Sequence, residues 1–260
     1  MAGNFADLNF SAPFLVNEQG TTSLHFTMGE TQSSMRLDSP DDLHIDYTRT
    51  MMGFLLLNPR PRTIFMIGLG GGSHAKFCHR YLPQAGMTVV ENNPGVIALR
   101  KDFNIPEDDE RLTVLVDDGA AFLRSTEVTT DVLLVDGFDQ TGQPAQLCSQ
   151  AFYDDCFRAL APGGVLVANL HADHPDIELF VERIAESFEG NAMQVLAEEK
   201  GNCVVFAGRG RPVTLKSLRN PDWSVALDPR ARRQLRAEFA RIGWSASSAI
   251  KPPGSGPAGG

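Results

Sequence analysis

Cysteine is scarce in this 260-residue chain: the four present, Cys78, Cys148, Cys156 and Cys203, are scattered, and none forms the C-x-x-C spacing of zinc or redox sites. They are expected as reduced thiols of a cytoplasmic protein. Long hydrophobic runs are missing too. The longest, over residues 51–57, is broken by Gly53 and too short to span a bilayer, and the opening MAGNFADLNF has neither the basic start nor the apolar stretch of a secretory leader. Positive charge is also short: Lys and Arg number 23 against 32 Asp and Glu, a formal net charge of -9, which argues against a surface built to grip nucleic-acid phosphates. The expectation is a soluble protein with no nucleic-acid and no membrane partner, whose acidic balance suits a cationic small molecule.

What is present is a regular alternation of strand-like and helix-like segments. Residues 14–47 carry short apolar stretches, SLHF, SMRL and LHID, between the turn formers Gly20, Gly29 and Ser39-Pro40, which reads as β-hairpin strands. TRTMMGFLLLN reads as a short buried helix stopped by Pro59 and Pro61. Then TIFMIGL, MTVVE, LTVLV, DVLLVD and GVLVANL each resemble a buried strand followed by a helix. The helices are expected to be capped by Ser73, opened by Asn93-Pro94, started at Asp118, capped by Ser149 and begun near His174, the last with an apolar stripe of Ile177, Phe180, Val181, Ile184 and Phe188. NCVVFAG supplies a terminal strand. The pattern predicts an α/β fold, a Rossmann-like, mostly parallel sheet with helices on both faces, preceded by a small N-terminal β-hairpin region. Three stretches are expected: residues 1–58 with the hairpins and a linking helix, 59–208 with the α/β domain, and 209–260 with an Arg-rich helix and a disordered Gly, Pro and Ser tail. Arg230, Arg232, Arg233, Arg236 and Arg241 of that helix form a solvated face or dock on a partner subunit.

In such sheets ligands sit at the carboxyl ends of the strands. The first strand runs into Gly68-Leu69-Gly70-Gly71-Gly72-Ser73, where Gly68, Gly70 and Gly72 follow the G-x-G-x-G spacing of S-adenosylmethionine-type domains, and serine stands where a dinucleotide fingerprint wants its last glycine. Alone, this also fits a tight strand-to-helix turn. Glu91 ends the second strand about 20 residues later, where a carboxylate accepts both ribose hydroxyls. Asp118, followed by Gly119, comes just after the third, placed to take the exocyclic amine of a base while also capping a helix. The three together point to an adenosyl sulfonium ligand. His171, Asp173 and His174 lack a third convincing metal ligand and read as loop and helix-start residues; no metal is expected.

The fourth strand delivers Asp136, followed by Gly137-Phe138-Asp139 and, after a short loop, Pro144-Ala145. With Gly29-Glu30-Thr31-Gln32, Tyr47, the glycine loop, Val90-Glu91, Asp118-Gly119, Phe152-Tyr153 and Leu160-Ala161-Pro162-Gly163-Gly164, these motifs make residues 29–208 resemble the spermidine synthase family of polyamine aminopropyltransferases. The resemblance implies transfer of a 3-aminopropyl group from decarboxylated S-adenosylmethionine to a polyamine, with release of methylthioadenosine and no prosthetic group. It implies Asp136 as the base, Tyr47 as the phenol that orients the amine, and Asp139 and Gln32 as substrate-binding residues. An alkylammonium with a pKa near ~10 must lose a proton before its nitrogen can attack carbon, and a carboxylate can first attract the cation and then accept that proton. The family's loop usually reads G-G-G-D-G-G, its aspartate holding the donor's amino group; here Gly71 stands at that position. The donor is thereby left open between decarboxylated and intact S-adenosylmethionine. A methyltransferase and a non-catalytic nucleotide-binding relative stay as alternatives on the same fold. Asp136, Asp139 and Tyr47 together favour amine chemistry. The assembly state is also left open, a homodimer among the expectations.

Overall fold

A computed structural model of the chain describes residues 12–28, 31–139, 142–199, 201–224 and 227–245. The opening residues 1–11, Gly29 and Glu30 of the hairpin motif, the loop residues Gln140 and Thr141 and the tail 246–260, for which disorder was expected, lie outside the described residues.

Strands β1 (Phe14–Glu18), β2 (Thr21–His25) and β3 (Thr31–Arg36) form an antiparallel three-stranded sheet, β1 and β2 joined through Gln19-Gly20. LHID is not a strand. Its buried residues Leu43 and Asp46, followed by Thr50, recur at helical intervals, and Asp46 opens helix α1 (Asp46–Met51). The single helix expected after it is two, α1 and α2 (Phe54–Leu57), with Met52 and Gly53 between them.

Seven further strands make the main sheet: β4 (Thr63–Ile67), β5 (Gly86–Glu91), β6 (Leu112–Val116), β7 (Thr130–Val135), β8 (Leu160–His171), β9 (Ala192–Leu196) and β10 (Asn202–Gly208). Their order is β6-β5-β4-β7-β8-β10-β9; the first five in that order run parallel, and β10 lies antiparallel to both β8 and β9. Helices α3 (Ser73–Tyr81), α4 (Pro94–Ala98), α5 (Gly119–Ser125), α6 (Gln150–Ala159), α7 (Ile177–Ser187) and α8 (Pro229–Ser245) complete the fold. The α/β class, the mostly parallel sheet, the helices on both faces and the small N-terminal sheet are as the sequence pattern predicts. Strand β9, the short run AMQVL, was not expected; it pairs antiparallel with the edge of β10.

The apolar strand runs are continuous because both faces are covered. Ile64 and Met66 of β4 join one hydrophobic cluster with Phe77 of α3, Phe54 of α2 and Leu235 of α8, while Phe65 and Ile67 of the same strand join another with Leu123 of α5, Phe152 of α6 and Ile184 of α7. Each fully buried Leu, Ile or Phe contributes about 1.5–3 kcal/mol relative to exposure. The α7 stripe is buried at Phe180, Val181 and Ile184, although the helix starts at Ile177 rather than near His174. Ser149 caps α6 by accepting from the Phe152 amide, and Asp118 caps α5 by accepting from the Ala121 amide. Ser73 caps nothing: Gly72, in a left-handed conformation, is the N-cap of α3, and Ser73 is already helical. On α8, Arg230 pairs with Asp42 and Arg241 with Glu238, tying the helix to the body and to itself, while Arg232, Arg233 and Arg236 are exposed.

Because β5 lies on one side of β4 and β7 on the other, the connections leave in opposite directions and open a crevice at the carboxyl end of β4.

Candidate active site

A cleft of roughly 300 Å³ occupies that crevice, roofed by β2 and β3 and by α1. Gln32, Tyr47, Gly68, Gly70, Glu91, Asp118, Gly119, Asp136 and Asp139 all line it. Gly72 does not; it sits behind the loop against the side chain of Ile105.

The glycine loop begins where β4 ends. Gly68, at φ 92°, donates its amide to the Val90 carbonyl, and any side chain there would strike the backbone carbonyl of Asp136, so glycine is what lets the ends of β4 and β7 close together. Glu91 is buried, and the partners its carboxylate needs are backbone amides: Oε2 accepts from Leu69 and Oε1 from Asn93, each at 2.8 Å. Burial pushes this carboxyl above the usual range, and the amides of the loop pull it back. Glu91 therefore braces the glycine loop as well as facing the cleft. Asp118 faces the same space from the start of α5.

Asp136 stands one residue beyond β7, its amide donating to the Ile67 carbonyl at 2.9 Å. Its Oδ1 accepts from Asn169 Nδ2 at 2.8 Å, and its Oδ2 faces the Tyr47 phenol at 3.4 Å. Burial, followed by the charge of Asp136, holds the Tyr47 hydroxyl well above the ordinary phenol range, so it stays a donor. Asp139 is paired through its backbone with Gly142 in the turn that follows. His171 stacks on Phe138, ring centroids 4.5 Å apart, and His174 accepts the Asp176 amide at its Nδ1 just before α7. Among the described residues no three His, Cys, Asp or Glu side chains are grouped as metal ligands.

Four carboxylates, Glu91, Asp118, Asp136 and Asp139, line the cleft, and no Lys or Arg is among its described lining residues. Such a cleft concentrates cations. Asn169 and His74 were missed in the sequence. A polar residue inside the apolar run of β8, between Ala168 and Leu170, was the available signal for Asn169; nothing local marked His74.

A family model described as the Spermine/spermidine synthase domain matches residues 45–197, more than half of the chain. The chain belongs to the spermine/spermidine synthase family. Among curated relatives, the polyamine aminopropyltransferase of Chromobacterium violaceum is 42% identical over 199 residues, 76% of either chain. Among solved structures, a probable spermidine synthase from Corynebacterium glutamicum matches with TM-score 0.66 at 20% identity, over 95% of each chain. A spermidine synthase in complex with the transition-state analogue AdoDATO matches with TM-score 0.59 at 22% identity, over 88% of this chain and 78% of that one. At those identities the two structures establish the shared fold.

Gly71, the loop position where the resemblance implies an aspartate, is closely packed. A Cβ there would lie 2.5 Å from Ser33 Oγ and 2.8 Å from the Phe103 ring. The loop is packed against β3 on one side and against the segment after α4 on the other, so a side chain at position 71 would have to displace Ser33 or Phe103.

Proposed function

We propose that this protein is an aminopropyltransferase, moving a 3-aminopropyl group from an S-adenosylmethionine-type donor to a small polyamine. The observation that carries it is the cleft itself: four carboxylates without an arginine or lysine, at the carboxyl end of β4, around one aspartate held by a phenol and an amide. Both reactants are cations, a sulfonium and an alkylammonium, and both are attracted there.

The residues divide the work by position. The glycine loop and Glu91 take the ribose, Asp118 takes the adenine amine, and Asp139 and Gln32 hold the acceptor along the cleft. Asp136 draws the attacking ammonium and accepts its proton; Tyr47 orients the nitrogen. The freed lone pair forms a C–N bond to the carbon beside sulfur, the C–S bond breaks with its electrons left on sulfur, and the leaving thioether is neutral and needs no acid. Decarboxylated S-adenosylmethionine is the donor that fits, since a donor carboxylate would add an anion to a cleft already lined by four and offering no lysine or arginine to meet it.

The test is to incubate the protein with decarboxylated or intact S-adenosylmethionine and a panel of diamines and polyamines, and to read products by mass spectrometry. An aminopropyl gain on an amine is expected. Methyl gain, or no product from any pair while methylthioadenosine still binds, would replace this proposal by a methyltransferase or a non-catalytic nucleotide binder.

A further inference from the structure

His74 has no part in the chemistry just described, yet it is almost fully buried in the first turn of α3 and lines the cleft. One of its ring nitrogens is accounted for: Nε2 lies 3.2 Å from the Thr48 carbonyl, which can only accept, so Nε2 carries the hydrogen. In the neutral ring Nδ1 is then a bare lone pair. It lies 3.9 Å from Oδ2 of Asp136, the oxygen that also faces the Tyr47 phenol. A basic nitrogen and a carboxylate oxygen, both acceptors, are set face to face, and a proton between them satisfies both. Burial holds the imidazole below its ordinary range, with Asp136 and the Thr48 carbonyl opposing. Those two, from the end of β7 and from α1, are the groups that act on its charge, and Tyr47 acts through the shared Asp136 oxygen.

We propose that His74 is a positioning residue for the base, giving the proton that Asp136 removes from the amine a second place to rest. The proposal builds on the aminopropyl-transfer reading. An N–H bond of the acceptor ammonium breaks and its proton joins Oδ2; the amine lone pair forms the C–N bond, leaving a secondary ammonium; the C–S bond breaks with its electron pair on sulfur. The proton taken from the amine is shared between Oδ2 and Nδ1 until the products leave and water takes it. A separation of 3.9 Å is long for a hydrogen bond, but catalytic contacts commonly tighten once substrate is bound.

Two variants separate this role from packing. His74→Gln keeps a donor for the Thr48 carbonyl and removes the basic nitrogen; His74→Phe keeps the ring's bulk and removes both. Both are expected to bind methylthioadenosine as the wild type does. In both, kcat should fall about tenfold to a hundredfold with the amine KM little changed, at or below the ~10²-fold lower limit of a direct acid-base group because His74 acts through Asp136. The acidic limb of kcat/KM should move to lower pH, because no imidazole remains to charge and tie up Asp136. Rates are taken per folded molecule, with melting curves on the same preparations. A His74→Gln enzyme with wild-type kcat and an unmoved acidic limb overturns the proposal. Wild-type protein that yields no aminopropyl product overturns instead the functional reading beneath it.

Discussion

Asn169 Nδ2 donates to Asp136 Oδ1 at 2.8 Å, and the amide that does so cannot turn over, because its own Oδ1 accepts from Asn202 Nδ2 at 3.1 Å. Three neighbouring strand ends, β7, β8 and β10, thus fix the orientation of one carboxylate. Asn169→Ala leaves Asp136 free to rotate and strips Asn202 of its acceptor. Turnover should fall about tenfold to a hundredfold, the scale on which a misplaced catalytic group is felt. Affinity for methylthioadenosine should hold, since Glu91, Asp118 and the loop are untouched. Steady-state kinetics beside calorimetry on the same variant checks both halves.

Glu91 has two duties, and a conservative change sets them in conflict. In Glu91→Gln one oxygen becomes an NH2 group, which must face either the Leu69 or the Asn93 amide that Glu91 now receives at 2.8 Å. Leaving one buried donor unmatched costs about 1–3 kcal/mol, so the midpoint of chemical denaturation should drop. If Glu91 also holds the ribose, methylthioadenosine affinity should fall at least about tenfold. A destabilised variant with unchanged affinity would restrict Glu91 to bracing the loop.

Lys76 is buried in α3, its ammonium donating to the Phe103 carbonyl at 2.8 Å, and burial lowers it to about 8 from 10.5. The folded-state value is depressed, so between about 8 and 10.5 the unfolded chain binds the extra proton. The contribution of this group to stability therefore rises with pH across that window and is absent below it. Four buried thiols, Cys78, Cys148, Cys156 and Cys203, are pushed upward and act in the opposite sense in the same alkaline range. The lysine is isolated by comparison with Lys76→Met: the stability difference should move in favour of the wild type between pH 7.5 and pH 10. Urea denaturation at the two pH values measures it, and a difference independent of pH would show that Lys76 keeps its proton.

The strands of the main sheet were legible because a strand buried on both faces writes an uninterrupted apolar run, as TIFMI and DVLLV do. The residues at or just past the ends of such runs were legible with them, which is why Glu91 and Asp118 could be named from position, while the role of Asp136 came from the family resemblance. What could not be read depends on partners far away in the chain. The five residues of β9 become a strand only beside β10. LHID has the alternation of a strand, but no neighbouring strand meets it, and α1 takes its last residue. Asn169 and His74 reach Asp136 only because β8 and α3 are set beside the end of β7. Ser33 meets the glycine loop across nearly forty residues of chain, and no local pattern announces that contact.

That last contact decides what the glycine at position 71 means. Were the site merely lacking the loop aspartate that the resemblance implies, Gly71→Asp should supply an anchor for the donor's amino group and sharpen the preference for decarboxylated S-adenosylmethionine. The packing predicts otherwise. The new Cβ would lie 2.5 Å from Ser33 Oγ and 2.8 Å from the buried Phe103 ring, so one side or the other must move. Overpacking of this kind costs about 1–3 kcal/mol, and the variant should melt at lower temperature without gaining preference for the decarboxylated donor. Pairing it with Ser33→Gly removes the nearer obstacle and should recover part of the lost stability, though not all, because Phe103 remains. Melting curves for the single and double variants, with kcat/KM for both donors, give the answer. A stable Gly71→Asp enzyme with a sharpened preference would show that β3 and the loop part readily, and that the aspartate was dispensable here for a reason other than room.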